Sequence, residues 1–594
     1  MSTTETQTDS IRWDLSDLFH GTNDPKIHQF KQEVIKLSQQ FATSYKGKIK
    51  TLSDTMLLQA FTDQERISER LYKLSQYSHL VYATDTSDTS AQKLMAEIDE
   101  LGSDIQNQVL FFKLELAHVS DEVRETWIRS NALSAYHYKI KRSGELARYQ
   151  LTEPEEQLIN LKDLCGSDAF QQLYSEFTSS FEFEFKVDGE LKKLNGSQLR
   201  ALRQHHDPDT RRQAMKLFYE KYEENKVIFT KTFNAILKNH STEKKLRGYK
   251  TDISMMNVGN DLDDTVIDIL HQITEESYPL VHRYYKLKRK MLNLDQLTLA
   301  DIYAPLPNTT KTYSFQEAKD IVLSSFNEFD SDFYEKAKLM FDQNRIDVPV
   351  EKNKRGGAFC SSSTSDINPY VLLNFQGRSR DVSTLAHELG HAIHALYCQP
   401  LPLLTSHAIL PLCETASVFC EMIVTDKLRQ QATSNFEKQL LLSDKLEDIF
   451  ATSHRQNMFS SFEKDAHEKI SAQLQSADDL CQLYRKHLTA MFGDSVTYTN
   501  EYNWEWATIP HFIDVPFYVY AYNFGNLLVM AIYQMYKADG EAIIPKLKRM
   551  LSLGSSKSPY EICQTMDIDI TDRAFWKKSI DYIESLIVEL ESLQ

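Results

Sequence analysis

Glycine and proline are both scarce, because the 594 residues include only 17 glycines and 15 prolines. These two residue types interrupt helices and occupy tight turns, and an all-β protein needs many such turns. Their scarcity argues against an all-β fold and favours long helices. The length exceeds what one hydrophobic core usually holds, so we expect several domains or one large multi-lobed fold.

Cysteine motifs and targeting segments are also missing. The seven cysteines are scattered, and no two of them form a Cys-x-x-Cys pair, which predicts free thiols in a reducing compartment. The polar residues 1–10 are followed by no apolar segment, so we expect no signal peptide. No run approaches the roughly 18 apolar residues of a membrane span. These absences predict a cytoplasmic protein with no membrane partner.

Positive charge is in deficit, since 84 acidic residues stand against 67 lysines and arginines, a net charge of −17. Nucleic-acid phosphates and anionic membranes repel such a chain. We therefore expect neither nucleic acid nor an anionic membrane surface as a main partner. The composition leaves the oligomeric state open.

Helical periodicity dominates what is present, with apolar residues three and four apart over long stretches. We expect a disordered tail over residues 1–12, before these helices. Alternating apolar residues from Phe181 to Val187 predict a short hairpin. The apolar run 370–375 predicts a buried or edge strand in a small sheet, and we expect this strand to pair with the backbone of a bound peptide.

The most informative motif follows that strand: an HExxH sequence in which His387 and His391 flank Glu388. Imidazoles four residues apart on a helix lie about 40° apart around the axis and about 6 Å along it, so both reach one metal ion. Glu388 then lies beside the metal and can accept a proton from water. A chance match on an ordinary helix is the alternative, and the sequence context disfavours it. We predict a zinc site.

A catalytic zinc usually has three protein ligands and one open position. His394 lies too far along the helix to share the metal, and Tyr397 occupies the position of the third histidine in metzincins, which excludes that pattern. Glu414 is the better third ligand, because a proline-rich loop lets its helix return to the first. Glu421 either supports a ligand histidine or forms a structural ion pair.

A second group of candidate residues lies late in the chain, where His511 precedes Tyr518 and Tyr522. Tyrosine and histidine can donate hydrogen bonds to the oxyanion that forms during amide hydrolysis. The two tyrosines are four residues apart and share a helix face, whereas Tyr520 points away. Spacing alone favours an aromatic core stripe over this catalytic role.

The sequence resembles the M3 metallopeptidases, and within them the oligoendopeptidase F branch, over most of its length. The segments that carry the resemblance are 13–18, 151–156, 301–305, 381–391, 414–417 and 517–522. The zinc motif together with Glu-Thr-Ala-Ser at 414–417 is the specific part.

The resemblance implies a mainly α, two-lobed helical shell around a deep channel, with a small β-sheet next to the HExxH helix. It implies an N-terminal helical lobe over residues 13–195 and a catalytic region over 196–594. The implied activity is endopeptidase cleavage of short unstructured oligopeptides, in peptide catabolism, with one Zn²⁺ per chain.

The resemblance also assigns site residues. It implies three zinc ligands, His387, His391 and Glu414, and the general base Glu388. It implies that His511, Tyr518 and Tyr522 are catalytic hydrogen-bond donors, which reverses the preference for an aromatic core stripe.

Two other functions are compatible with the motif. A helical scaffold could keep zinc structurally, but structural zinc usually has four protein ligands and no fourth ligand is evident in the sequence. An exopeptidase could use the same zinc core, and only product mapping separates it from an endopeptidase.

Overall fold

The computed structural model describes residues 11–307 and 311–594, and helices make up most of it. The α-helices are α1 (Pro25–Tyr45), α2 (Asp54–Thr84), α3 (Thr89–Ala117), α4 (Asp121–Ile128), α5 (His137–Ala147), α6 (Glu153–Asp163), α7 (Ser167–Ser179), α8 (Gly196–Ala201), α9 (Pro208–Glu224), α10 (Lys226–Arg247), α11 (Ser254–Gly259), α12 (Asp264–Glu276), α13 (Tyr278–Met291), α14 (Phe315–Phe329), α15 (Ser331–Asp342), α16 (Ser379–Cys398), α17 (Thr415–Gln431), α18 (Asn435–Ile449), α19 (Arg455–Ala472), α20 (Ala477–Phe492), α21 (His511–Asp514), α22 (Tyr520–Asp539), α23 (Ile544–Leu551), α24 (Pro559–Gln564) and α25 (Arg573–Ser592). The strands are β1 (Glu182–Val187), β2 (Glu190–Asn195), β3 (Ile346–Asp347), β4 (Phe359–Ser361) and β5 (Tyr370–Leu372). The prediction of a mainly α fold with a small sheet beside the HExxH helix is confirmed.

The chain forms two compact units, each assembled from three separate stretches. The first unit contains residues 11–148, Lys311–Gln431 and Ile532–Asp569, and the second contains 149–307, Ala432–Ala531 and Ile570–Gln594. The predicted division at residues 195 and 196 followed the family's lobes and stays a prediction. In the described part of the chain, no helix is both long and apolar enough to cross a membrane.

The predicted tail, residues 1–12, lies mostly outside the described residues. Its last two residues are held in place: the backbone N–H of Val348 donates to the carbonyl of Ile11 at 3.1 Å. Arg12 donates to the carboxylates of Asp347 and Glu351. The prediction of disorder is therefore wrong for residues 11 and 12, because backbone pairing and charge-assisted hydrogen bonds order them.

The first unit packs its N-terminal helices around an aromatic core. Phe61 of α2 stacks on Tyr136 at a ring-centroid distance of 4.4 Å, and both side chains are buried. Phe41 of α1 and Phe112 of α3 pack edge to face at 5.3 Å. Buried aromatic pairs contribute roughly 0.5–1.5 kcal/mol beyond the burial of their area.

A three-stranded sheet precedes the HExxH helix, in the order β3-β5-β4. The predicted strand, β5, is the middle one: it is parallel to β3 and antiparallel to β4, and it ends at Leu372. The expectation that this strand pairs with a bound peptide is therefore wrong, because strands on both sides already take its backbone hydrogen bonds. Strand β4 is an edge of the sheet.

The predicted hairpin is confirmed in the second unit, where β1 pairs antiparallel with β2. Phe183, Phe185 and Val187 face inward and are buried, so the alternation in the sequence matches one face of the strand. Asp188 and Gly189 form the turn with φ values of 51° and 87°. Asp-Gly favours a turn with two positive φ values, which continues the right-handed twist of the strands.

Candidate metal centre and active site

Helix α16 presents His387, Glu388 and His391. Its N-terminus is held by Asp381, whose Oδ2 accepts the backbone N–H groups of Gln376 and Arg378 at 2.9 Å each. A carboxylate in the first turn also favours the positive end of the helix dipole. The apolar face is completely buried and fixes the rotation of the helix, with Val382, Leu385, Leu389 and Ile393 fully inaccessible.

Gly390 sets how closely helix α17 approaches α16. A Cβ atom at this position would lie 2.5 Å from the Cα of Ser417 and 2.6 Å from the carbonyl oxygen of Ala416. Both distances are shorter than any side chain tolerates, and both neighbours are backbone. Glycine between the two histidines therefore allows the close helix contact that positions Glu414, just before α17.

Glu414 reaches both histidines. Its Oε2 lies 3.3 Å from His387 Nε2 and 3.3 Å from His391 Nε2, and the three ligand atoms all lie within 4.8 Å of one another. Bonds of about 2.1 Å at tetrahedral angles separate zinc ligands by about 3.4 Å. The residues present thus fit one zinc ion with two imidazole ligands and one carboxylate ligand.

The carboxylates make this a site for positive charge. Burial alone would lower the pKa of His387, but hydrogen bonds to Glu414 and Glu421 outweigh it and raise that pKa to about 10. Burial alone would raise the pKa of Glu414, but hydrogen bonds from His387 and His391 hold it well below its usual range.

Two further side chains contact these candidate ligands. Glu421 Oε2 lies 3.3 Å from His387 Nδ1, the arrangement in which a carboxylate fixes the tautomer of a ligand histidine. The hydroxyl of Ser417 donates to Glu414 Oε2 at 2.6 Å. His394 is buried, and its imidazole hydrogen-bonds the backbone of Cys413. Burial lowers the His394 pKa to about 4.

Glu388 lines the same pocket as the two histidines and is only 6% exposed. Burial raises the pKa of its carboxyl group, while the charges of His387 and His391 oppose that rise. The backbone N–H of Cys360, in edge strand β4, donates a hydrogen bond to the Glu388 carboxylate. A carboxyl group with a raised pKa in this position is suited to accept a proton and later release it.

A pocket of about 430 Å³ opens over these residues within the first unit. Edge strand β4 and the segment 362–369 form one wall, and α16 forms another. The site residues that line it are His387, Glu388, His391 and Glu414. The pocket leaves room for a substrate beside the three ligands.

The second unit brings together the remaining predicted residues. The hydroxyl of Tyr522 lies 3.3 Å from His511 Nε2, and the Tyr518 ring lies parallel to the His511 ring at 5.5 Å. His511, Tyr518 and Tyr522 are all partly exposed, unlike a core stripe. Tyr520 is fully buried, and its hydroxyl accepts from Asn260 Nδ2 at 2.8 Å, so it points away as predicted. Burial lowers the pKa of His511.

Sequence reasoning missed three residues that shape these sites. They are Gly390, Cys360 with its backbone N–H, and Phe517, which precedes Tyr518 and has a φ of 63°. Gly390 stood inside the motif, where a glycine in a helix signals a close approach. No signal in the sequence marks the other two, because both act through the backbone.

Comparison with known proteins places the chain among peptidases. The family model described as "Peptidase family M3" matches residues 201–582, and the model described as "Oligopeptidase F" matches residues 115–183. An oligoendopeptidase F homolog of Borreliella burgdorferi is 26% identical over 592 residues, covering 98% of both chains. Oligopeptidase PepF of Bacillus subtilis is 25% identical, over 98% of this chain and 87% of the relative.

Solved structures share the fold. A candidate peptidase from Chlamydophila abortus superposes with a TM-score of 0.85 at 24% identity, covering 98% of both chains. Oligoendopeptidase F from Enterococcus faecium gives a TM-score of 0.72 at 22% identity, over 95% of this chain and 99% of the other.

Proposed function

Because the chain belongs to peptidase family M3, we propose that it is a zinc-dependent endopeptidase that hydrolyses short unstructured oligopeptides. The observation that carries this proposal is the placement of three zinc-compatible ligand atoms beside a buried carboxyl group in an open pocket. Both zinc and the general-base role of Glu388 belong to the proposal.

The proposed chemistry divides between the ion and the chain. Zinc, when bound to His387, His391 and Glu414, lowers the pKa of water and polarises the scissile carbonyl. Glu388 accepts the proton of the attacking water and delivers it to the leaving amine. The N–H of Cys360 holds the Glu388 carboxylate in place.

His511, Tyr518 and Tyr522 are proposed as donors to the oxyanion. Their mutual contacts and partial exposure support this role, and so does the family resemblance. A donor that is in place before the reaction stabilises developing negative charge without reorganisation.

We propose that substrate backbone runs along the outer edge of β4. The N–H of Val371 donates to Arg345, on the β3 side of β5, so Cys360 opposite Val371 directs its backbone away from β5. This outer edge lines the pocket at Ala358, Cys360 and Ser362. Because the N–H of Cys360 binds Glu388, the substrate would pair with the carbonyl group of Cys360 and the backbone groups beside it. Backbone pairing is indifferent to side chains, so broad sequence tolerance follows.

The enclosed channel implied by the resemblance predicts a limit on substrate length. Unstructured peptides of roughly 5–20 residues, at about 3.3 Å per residue, should be cleaved far faster than a long disordered protein. A cleavage rate per susceptible bond that stays constant from a decapeptide to a disordered protein would show that no channel restricts access, whatever the metal chemistry.

A quenched-fluorescence peptide assay with and without chelator tests the central proposal. We expect cleavage that chelator abolishes and that stoichiometric zinc restores. Cleavage that persists at full rate in metal-free protein would overturn it. A peptide blocked at both ends should still be cut, because only an endopeptidase needs neither free terminus.

A structural zinc in a scaffold is the second candidate. Structural sites usually have four protein ligands. Among the described residues, the set of ligating atoms at this position has three members, which favours the catalytic site. We also propose a cytoplasmic location, which the seven free cysteines support.

A further inference from the structure

A second cluster of metal-ligating side chains lies in the second unit, away from the residues assigned above. His240 of α10, Asp252 before α11 and His467 of α19 each offer one ligand atom, and these atoms lie within 4.8 Å of one another. Glu463 lies one turn before His467 on α19, with Oε1 at 3.9 Å from His467 Nε2. Both α19 residues are fully buried.

Several polar atoms of this cluster have no hydrogen-bond partner. They are both ring nitrogens of His467, Oδ1 of Asp252 and Oε2 of Glu463, all inaccessible to solvent. An imidazole always carries at least one N–H, so His467 leaves both a donor and an acceptor unused. A buried polar group without a hydrogen-bond partner destabilises the folded state. A cation in the middle of the cluster would bind one ring nitrogen of His467 and the unused oxygens of Asp252 and Glu463.

Other polar atoms of these side chains already form hydrogen bonds, and these bonds fix the orientation of the unused atoms. His240 Nε2 lies 2.8 Å from the carbonyl oxygen of Asp252, so it donates there and leaves the lone pair on Nδ1. Histidines that bind metals usually donate their other N–H in this way. Lys244 donates to Asp252 Oδ2 at 2.8 Å, and Phe517 N–H donates to Glu463 Oε1 at 2.7 Å.

We propose that His240, Asp252 and His467 bind a second divalent transition-metal ion, with Zn²⁺ the ion of choice and Glu463 the adjacent fourth group. Two imidazoles exclude Ca²⁺ and Mg²⁺, which take oxygen ligands. Two nitrogen and two oxygen ligands suit tetrahedral zinc. The site is closed and buried, so its role is structural.

The surroundings favour the neutral imidazoles that a metal requires. Burial lowers the pKa of His467 well below its ordinary value, and burial also lowers that of His240. Burial raises the pKa of the Glu463 carboxyl group to about 8. Lys244 carries an opposing charge, and it is bound to the outer oxygen of Asp252.

A metal ion at this site would also stabilise the loop that contains Phe517. Phe517 packs its ring on His467 at 4.5 Å and adopts a φ of 63°, while Glu463 accepts its N–H. A bulky residue with positive φ is strained and needs such support. An ion at His467 and Glu463 would therefore stabilise the backbone next to Tyr518.

The alternative is a neutral aromatic cluster without a metal. The rings of His240 and His467 lie 4.9 Å apart, edge to face, as they would in ordinary packing. Ordinary packing explains the rings but leaves the unused atoms of Asp252 and Glu463 unexplained.

Zinc stoichiometry in a protein that lacks the first site tests the proposal. His387→Ala/His391→Ala removes two ligands of the first site, and we expect this full-length variant to retain one Zn²⁺ per chain after dialysis. Adding His467→Phe, which keeps a ring of similar size, should abolish the remaining ion. Adding His271→Phe, a buried histidine elsewhere in the unit, should leave it bound.

A milder substitution covers the case in which His467→Phe fails to fold. Asp252→Asn in the same double variant keeps the shape and should weaken zinc binding about 10-fold or more. Cobalt in place of zinc should give a tetrahedral absorption band that this substitution weakens. A double variant with no bound zinc, or bound zinc that survives both substitutions, would show that the cluster holds no metal. Neither result depends on whether the first site is catalytic.

Discussion

His387 in the first unit and His454 in the second are both held in helical segments, but their surroundings favour opposite charge states. His387 is 26% exposed, and carboxylate oxygens of Glu414 and Glu421 each lie 3.3 Å from one of its nitrogens. His454 is fully buried, with Ser277 Oγ at 2.9 Å and no partner for Nδ1. The pKa is raised to about 10 in the first case and lowered to about 3 in the second, where burial is the cause.

The comparison shows that carboxylates decide which histidines can hold a cation. Helix geometry gave His387 and His391 the right spacing, but the charge comes from Glu414, which α17 delivers. His467 is as buried as His454, and burial lowers its pKa in the same direction, but it has Asp252 and Glu463 as neighbours. We therefore expect the second metal ion at His467 and not at His454.

The largest expected effect comes from replacing Glu388, a carboxyl group of the first site that is not a proposed zinc ligand. Glu388→Gln should lower turnover about 10²- to 10⁴-fold, because the amide cannot accept a proton. Zinc content should not change, since Glu388 is not a ligand. Peptide kinetics and metal analysis on the same sample measure both. Near-normal turnover would remove Glu388 from the mechanism, and loss of zinc would make it a structural group.

Removing a supporting carboxylate should have a smaller effect. Glu421→Gln takes away the negative charge at His387 Nδ1, and we expect zinc affinity to fall about 10- to 100-fold. Competition with a chromophoric chelator measures it. Glu328→Gln is the matched control, because its exposed carboxylate pairs with Lys427 of α17, the helix that also carries Glu421. Equal affinities in the two variants would reduce Glu421 to an ordinary ion pair.

The candidate metal centre was largely predictable from the sequence because helix periodicity fixes the spacing of His387, Glu388 and His391 locally. Glu414 followed from the resemblance and from the proline-rich loop before α17. The hairpin at Asp188 and Gly189 was also local, since its turn residues and its alternation agree. These features depend on neighbours within a few residues.

Long-range features were not predictable. The sequence could not show that β5 lies in the middle of its sheet, because burial on both faces looks the same in a central and a covered edge strand. The cluster at His240, Asp252 and His467 joins residues more than 200 positions apart, with no motif spacing. The mutual placement of His511 and Tyr522 depends on how α21 and α22 pack.

The close contact of α16 with α17 can be tested through Gly390. Gly390→Ala places a methyl group against the backbone of α17, so the helices must separate, and overpacking of this kind costs about 1–3 kcal/mol. Because Glu414 moves with α17, zinc affinity should fall as well. Gly356→Ala is the control, since a Cβ added there would meet no atom within 4 Å and the backbone φ is not in the left-handed region. Chemical denaturation and zinc titration of both variants compare them.

The last expected effect concerns His454, the buried histidine with one unpartnered ring nitrogen. The pKa of His454 is about 3 in the folded protein and about 6.5 when unfolded, so the unfolded state binds the proton more readily. The stability that depends on neutral His454 is complete above pH 6.5 and is lost as the pH falls towards 3, by about 1.4 kcal/mol per pH unit.

His454→Gln should remove this part of the acid sensitivity, although it lowers stability at neutral pH. Leu446→Ala, a buried substitution in adjacent α18, should lower stability at every pH and keep the wild-type slope. Urea unfolding of metal-free protein from pH 7 to pH 4.5 measures the slopes. If His454→Gln and wild type lose stability in parallel, His454 takes up its proton without unfolding. Burial alone would then not explain the difference in pKa between His387 and His454.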